Sequence, residues 1–162
     1  MIQFLTTSGI SYNLEAIIKD AENEIFLITP YLKISQNFYE RLVDSNNKDI
    51  EITIIYGKSD LLPDQKALLF GLENLNLVFH KNLHAKCYFN EEKALVTSMN
   101  LYEYSEKNNR EMGFLIDHLE EDLFKDIIKE VSSILSSSVF EMDKPLQFVP
   151  PIPELIVPPI PI

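Results

Sequence analysis

Apolar positions recur along this chain with a period that switches between two and about 3.6 residues, and each switch marks an element. Ile2 to Leu5 is a short apolar run that reads as an edge strand, followed by a turn over Thr6 to Ser11 that contains Gly9. Leu14, Ile17, Ile18 and Ala21 then follow the three-and-four spacing of a helix with one buried face, capped by Ser11 or Asn13. Glu24 to Thr29 is nearly all apolar, as expected of a central strand covered on both faces, and Pro30 ends it. Phe38, Tyr39, Leu42 and Val43 form the stripe of a helix over Ser35 to Val43, and Asp44 to Asp49 is a polar turn. Ile50 to Tyr56 is the next strand, stopped by Gly57, and Leu61 to Leu72 reads as a helix with Pro63 in its first turn.

Leu75 to Phe79 alternates again and leads through His80 into a strand that starts at His84; Ala94 to Thr97 is a second short strand. Tyr102 to Asn109 is a polar loop, and Met112 to Ile116 is a last strand. Glu120 to Ser136 carries the longest amphipathic stripe, through Leu123, Phe124, Ile127, Ile128, Val131, Ile134 and Leu135. Its other face bears Glu120, Glu121, Asp122, Asp126 and Glu130, which read as a solvated acidic surface. Strands alternating with helices give an α/β fold in one domain over residues 1–143. From Lys144 to Ile162 the composition changes. Seven of the nine prolines fall there, among Val, Ile and Leu, which favours an extended C-terminal arm lying on its own domain, on a second subunit or on a separate partner.

Length and charge narrow the picture. A chain of 162 residues can bury a core without disulfides or metals. The single cysteine, Cys87, falls on the apolar face of its strand, which suits a buried residue in a reducing compartment, with a nucleophilic thiol as the sharper alternative. No basic, apolar leader and no run of about 20 apolar residues is visible, so a cytoplasmic protein without a membrane span is expected. The net charge of -11 argues against coating nucleic acid by bulk attraction. Between His80 and Arg110, however, five basic residues face four acidic ones, so the remainder of the chain carries -12. A near-neutral site in an acidic exterior suits an enzyme that engages a phosphodiester locally and releases it.

That near-neutral stretch holds the chemistry. In His84-Ala85-Lys86-Cys87-Tyr88-Phe89 a strand would point His84, Lys86 and Tyr88 one way and Ala85, Cys87 and Phe89 the other, a chemical face and a packing face. Ser98 and Asn100 repeat the two-residue spacing with groups that can hold an oxyanion. Together they describe an anion site with a nucleophile in it. Neutral imidazole attacks phosphorus, so His84 is the candidate nucleophile. Lys86 with Asn100, helped by Ser98 or backbone donors, would neutralise the developing charge, and Thr97, Lys107 and Arg110 are candidate substrate contacts.

His84-x-Lys86, then Thr97-Ser98-x-Asn100, then Glu111, resembles the HKD motif of the phospholipase D superfamily, and more closely its small single-motif nucleases. Ile25 to Leu32 is similar to the family's early strand running into a Pro-Tyr pair. Two positions depart from the pattern: the acid five residues after the lysine is Glu91 instead of Asp, and the residue before the serine is Thr97 instead of Gly. The resemblance implies a mixed β-sheet flanked by helices, a covalent phosphohistidine intermediate, no metal or other cofactor, and Glu111 as the carboxylate that orients His84. It further implies a homodimer, in which the His84 of a second copy protonates the leaving oxygen. A nuclease acting on nucleic acid is the expected activity; a lipid phosphodiesterase and a non-catalytic dimerisation module are the alternatives.

Overall fold

The computed structural model describes residues 1–58, 60–102 and 108–141. Lys107, most of the expected 102–109 loop and the proline-rich arm of residues 144–162 lie outside them. In chain order the elements are β1 (Ile2–Thr6), α1 (Thr7–Asp20), β2 (Glu24–Thr29), α2 (Gln36–Asn46), β3 (Glu51–Tyr56), α3 (Pro63–Phe70) and β4 (Leu75–Phe79). They continue with β5 (Cys87–Asn90), β6 (Lys93–Thr97), β7 (Met112–Asp117), α4 (Glu121–Ser136) and β8 (Val139–Phe140). The eight strands make one sheet in the order β1-β7-β6-β5-β2-β3-β4-β8. β2, β3 and β4 are parallel because α2 and α3 carry the chain back over the sheet between them, whereas the remaining pairs are antiparallel.

Alternation along the strands divides the core in two. Ile25, Leu27, Ile52, Ile54, Tyr88 and Leu95 point to the face covered by α1, α2 and α3. Phe26, Ile28, Ile55, Val78, Cys87 and Phe89 point to the opposite face, which α4 covers through Phe124 and Val131. Phe26 and Phe89 stack there with ring centroids 4.7 Å apart. One helix cannot span eight strands. Across β1, β7 and β6 the register places Phe4, Phe114 and Val96 side by side on the α4 face, and there Phe4 is 53%, Phe114 49%, Val96 41%, Ile2 51% and Met112 64% exposed. This is a continuous apolar surface on the part of the sheet that α4 does not reach.

Several expected boundaries move. α1 begins at Thr7 and swallows the expected turn: Gly9 lies inside it, where a Cβ would sit 3.1 Å from the Leu5 side chain, so the glycine lets β1 and the first helical turn pack closely. Ser11 and Asn13 are therefore interior residues and do not cap; the Asn13 amide donates to the Gly9 carbonyl at 2.8 Å. α2 runs on through Asp44 to Asn46, because Ser45 is buried and its hydroxyl bonds the carbonyl of Arg41 at 3.1 Å, with that of Ile18 at 3.3 Å. β5 starts at Cys87, three residues later than its alternation suggests, since the chain before it is not paired as a ladder. β8 has too few residues to be seen in the sequence; beyond it the Tyr56 hydroxyl donates to Glu141 at 2.7 Å, and Lys66 lies 3.6 Å from the same carboxylate.

Glu91, the residue that replaces Asp in the motif, acts locally. Its carboxylate accepts the backbone N–H groups of Glu22 and of Glu24, holding the turn into β2. Glu24 itself lies beside Glu51 in the parallel register. Its carboxyl is pushed up to about 7 by burial, with the charges of Glu51 and Glu91 adding to the effect. A carboxyl whose pKa is raised on folding contributes stability that is complete below its unfolded value of 4.5 and is lost as the pH rises through about 7. Glu24→Gln removes that dependence. After discounting for its half-exposed position, the variant should be more stable than the parent by about 1 kcal/mol near pH 8 and no more stable near pH 4, measured by urea denaturation at both.

Candidate active site

The site is assembled where β3, β5, β6 and β7 end. The His80 N–H donates to the Tyr56 carbonyl at 2.8 Å, and the Leu83 N–H donates to the His80 carbonyl at 3.1 Å, so a tight turn sits on the end of β3. Gly57 makes room for it, since a Cβ there would lie 2.4 Å from the His80 oxygen. With Leu83 buried, the turn delivers exposed His84 and Ala85 and a partly buried Lys86 ahead of β5. One ladder-like bond, Thr97 N–H to the Lys86 carbonyl at 3.2 Å, fixes this stretch to β6. Because strand parity does not extend back through it, His84 and Lys86 do not share a face with Tyr88. Tyr88 is fully buried under α1, and its hydroxyl donates to the Met99 carbonyl at 2.7 Å.

Opposite, Ser98 is clasped by the start of β7. Its N–H donates to the Met112 carbonyl at 3.0 Å, its hydroxyl oxygen accepts the Met112 N–H at 3.1 Å, and its O–H donates to the carboxylate of Glu111. Thr97 donates to the Met112 carbonyl at 2.9 Å and accepts the Met99 N–H at 3.1 Å. A threonine fits here because Gly113 faces it: a Cβ on Gly113 would lie 2.8 Å from the Val96 carbonyl and 2.9 Å from the Thr97 Cβ. Thr7 closes the arrangement from α1, accepting the Glu111 N–H at 2.8 Å.

His84, Lys86, Thr97 and Ser98 line one cavity of about 420 Å3. Its floor is Ile28, Cys87 and Val96 from the sheet, and its far wall is Ile127, Val131 and Ile134 from α4, with Glu130 among them. The Lys86 ammonium donates to the His84 carbonyl at 2.9 Å. Partial burial lowers the Lys86 pKa, and the negative charge of Glu111 opposes that fall. Glu111 is buried, 8% exposed, and its carboxylate accepts the Ser98 hydroxyl. Burial pushes the Cys87 thiol up to about 12, so it stays protonated and packs as an apolar group, which sets aside the nucleophilic alternative.

The spacing thus brings together His84, Lys86, Thr97, Ser98 and Glu111. Asn100 stands apart, lining a separate crevice with Lys33, Ser35 and Tyr102, and its buried Oδ1 has no hydrogen-bond partner among the described residues. Arg110 is exposed beside Glu111 and is not part of the cavity wall. Glu111, expected to orient the His84 ring, has Ser98 as its side-chain hydrogen-bond partner, and the ring has none among the described residues. Sequence reasoning gave no role to Thr7 or Gly113 and put Tyr88 on the chemical face; of these only Gly113, two residues after Glu111, carried a visible signal. Among the described residues no three His, Cys, Asp or Glu side chains are grouped so that they could hold a metal ion.

A family model described as cardiolipin synthase, PLD-like domain, matches residues 14–135. The chain belongs to the phospholipase D-like family. Solved structures agree on the fold: Nuc, a phospholipase D family member from Salmonella typhimurium, superposes with a TM-score of 0.73 at 14% identity over 88% of this chain and 99% of that one. NucT from Helicobacter pylori gives 0.72 at 16% identity, covering 86% and 99%. Phosphatidylserine synthase from Haemophilus influenzae gives 0.69 at 16% identity over 86% of this chain and 39% of the synthase. No curated protein matches the sequence. The phospholipase D-like match begins inside α1, so it omits Thr7, which this chain uses to hold Glu111.

Because Glu111 sustains the charge of a desolvated lysine, Glu111→Gln should lower the Lys86 pKa further. Chemistry that needs the ammonium is lost as the pH rises through that pKa. The alkaline limb of the pH–rate profile should therefore fall below the ordinary lysine range in the parent and move lower still in Glu111→Gln, with kcat/KM reduced about tenfold or more at neutral pH. An unmoved limb would separate Glu111 from the charge on Lys86.

Proposed function

We propose that this phospholipase D-like chain is a phosphodiesterase whose substrate is nucleic acid. The observation that carries the reading is the convergence of His84, Lys86 and Ser98 on one cavity, with a buried Glu111 tied to Ser98. His84 attacks phosphorus, a P–N bond forms, and the bond to the leaving ester oxygen breaks. Lys86 holds the charge that gathers on the non-bridging oxygens, beside Ser98 and Thr97 in the same cavity, with Lys107 as a further substrate contact. Water then hydrolyses the phosphohistidine and returns the imidazole to its neutral form. None of these steps calls for a metal ion.

The leaving oxygen needs a proton from the side opposite His84, and the reading assigns it to the His84 of a second copy. The uncovered apolar surface of Phe4, Val96, Met112 and Phe114 supports that assembly, because Val96 belongs both to it and to the cavity floor. Protomers that meet there would meet next to their sites. A lipid substrate is the second reading, supported by the apolar cavity and the family model's description. No helix among the described residues is long and apolar enough to cross a membrane.

The deciding test is cleavage of end-labelled single- and double-stranded DNA and RNA in EDTA. The parent should cut at least one of them, and His84→Ala should lose about 1,000-fold or more. Cleavage only of lipid phosphodiesters would select the second reading. Assembly is tested with Phe114→Glu, which should sediment as a monomer with an unchanged circular dichroism spectrum and lose at least about 100-fold in activity. A fully active monomer would remove the second His84 from the mechanism.

A further inference from the structure

The cavity is larger than a phosphate requires, and its composition is wrong for one. Lys86 and Ser98 stand at one side; the floor and far wall are aliphatic, with a single charged exception. That exception is Glu130. Its place follows from helical spacing, because Ile127, Glu130 and Ile134 fall on one stripe of α4 at three- and four-residue intervals, the stripe that faces the sheet across the opening. Glu130 is exposed, has no hydrogen-bond or ion-pair partner among the described residues, and lines the cavity from α4, whereas Lys86 and Ser98 line it from the sheet side.

A concave, mostly aliphatic space with a carboxylate at its exposed rim has the usual form of a small-ligand pocket. With a phosphodiester held at Lys86 and Ser98, the organic group esterified to that phosphate is what reaches the cavity. We infer that the cavity is a nucleobase pocket and that Glu130 is its specificity-determining residue, accepting N–H donors from the edge of the base. This rests on the nucleic-acid reading and names the part of the substrate that this site distinguishes. A carboxylate repels additional negative charge, which makes the space unsuited to a second phosphate, and it accepts hydrogen bonds only. Guanine offers it two adjacent N–H donors, a bidentate match, whereas adenine and cytosine offer one amino group and thymine one imide N–H. The apolar floor and wall would take the faces of the ring. The inferred order is guanine first and thymine last.

The test reads binding apart from cleavage. Dissociation constants of dGMP, dAMP, dCMP and dTMP are measured by NMR titration of the full chain, with its histidine side-chain resonances as the probe. The parent should bind dGMP about tenfold more tightly than dTMP, the discrimination expected of a bidentate pair. Glu130→Gln, which keeps the shape but removes the second acceptor, should bring the four nucleotides to within about twofold of each other. Ile127→Trp, at a partly exposed position on the same wall, should fill the space and weaken all four while the circular dichroism spectrum is unchanged. Equal binding of the four by the parent, a guanine preference that survives Glu130→Gln, unaltered binding by Ile127→Trp, or no binding of any nucleotide would each overturn the inference. So would displacement of bound nucleotide by short-chain phosphatidylglycerol with no preference among bases. A base preference without strand cleavage would leave the pocket standing and remove the nuclease reading; cleavage without a base preference would do the reverse.

Discussion

A carboxylate taken out of water needs a donor and a compensating charge, and Glu111 obtains the donor from Ser98 and the charge from Lys86. Much of the surrounding structure serves that arrangement. Ser98 is clasped on both sides by the Met112 backbone, Glu111 is fixed through its own N–H by Thr7, and the chain beyond Ser98 is pinned by the buried Tyr88 hydroxyl on the Met99 carbonyl. These bonds are local in space and remote in sequence. They hold a negative charge where it opposes the lowering of the Lys86 pKa by partial burial, and an ammonium in a partly dry site interacts more strongly with an anion than one in bulk water.

The sheet shows a comparable division of labour. Its α1–α3 face is fully covered and carries most of the core, while the other face has a single helix for eight strands. At one margin of α4 lies the cavity, and past it lies the exposed apolar surface of β6, β7 and β1. Coverage is therefore incomplete around the candidate site.

Much of this was legible in the chain. Elements with a sustained period, such as β2, β3 and α4, fall close to where their apolar residues place them, because burial on a face is what the period encodes. The gathering of His84, Lys86, Ser98 and Glu111 was legible as motif spacing. Misreadings arose where a local pattern imitated a periodic one. His84-x-Lys86-x-Tyr88 alternates like a strand, but pairing begins only at Cys87, so Tyr88 went to the core and Cys87 to the cavity floor. Glu130 is the solvated acid that its place on the helix predicts; what a helical wheel does not say is that a cavity opens beside it. Thr6 to Ser11 looked like a turn because Gly9 is a poor helix former, yet contact with Leu5 decided the matter. The apolar alternation of Ile2, Phe4, Met112 and Phe114 announces a buried surface without announcing which molecule buries it.

The bond from the Glu111 N–H to the Thr7 hydroxyl joins residues 104 positions apart, and among the described residues β1 finds its one strand partner in β7. β1 therefore has nothing to pair with until nearly the whole domain has been made. Contacts of such sequence separation close late, after the loop entropy of the intervening chain has been overcome. A nascent chain still threaded through the ribosome, with β7 inside the exit tunnel, has no Glu111 beside Ser98 and no completed anion site. The connectivity of the sheet thus withholds that arrangement until translation of the domain is done.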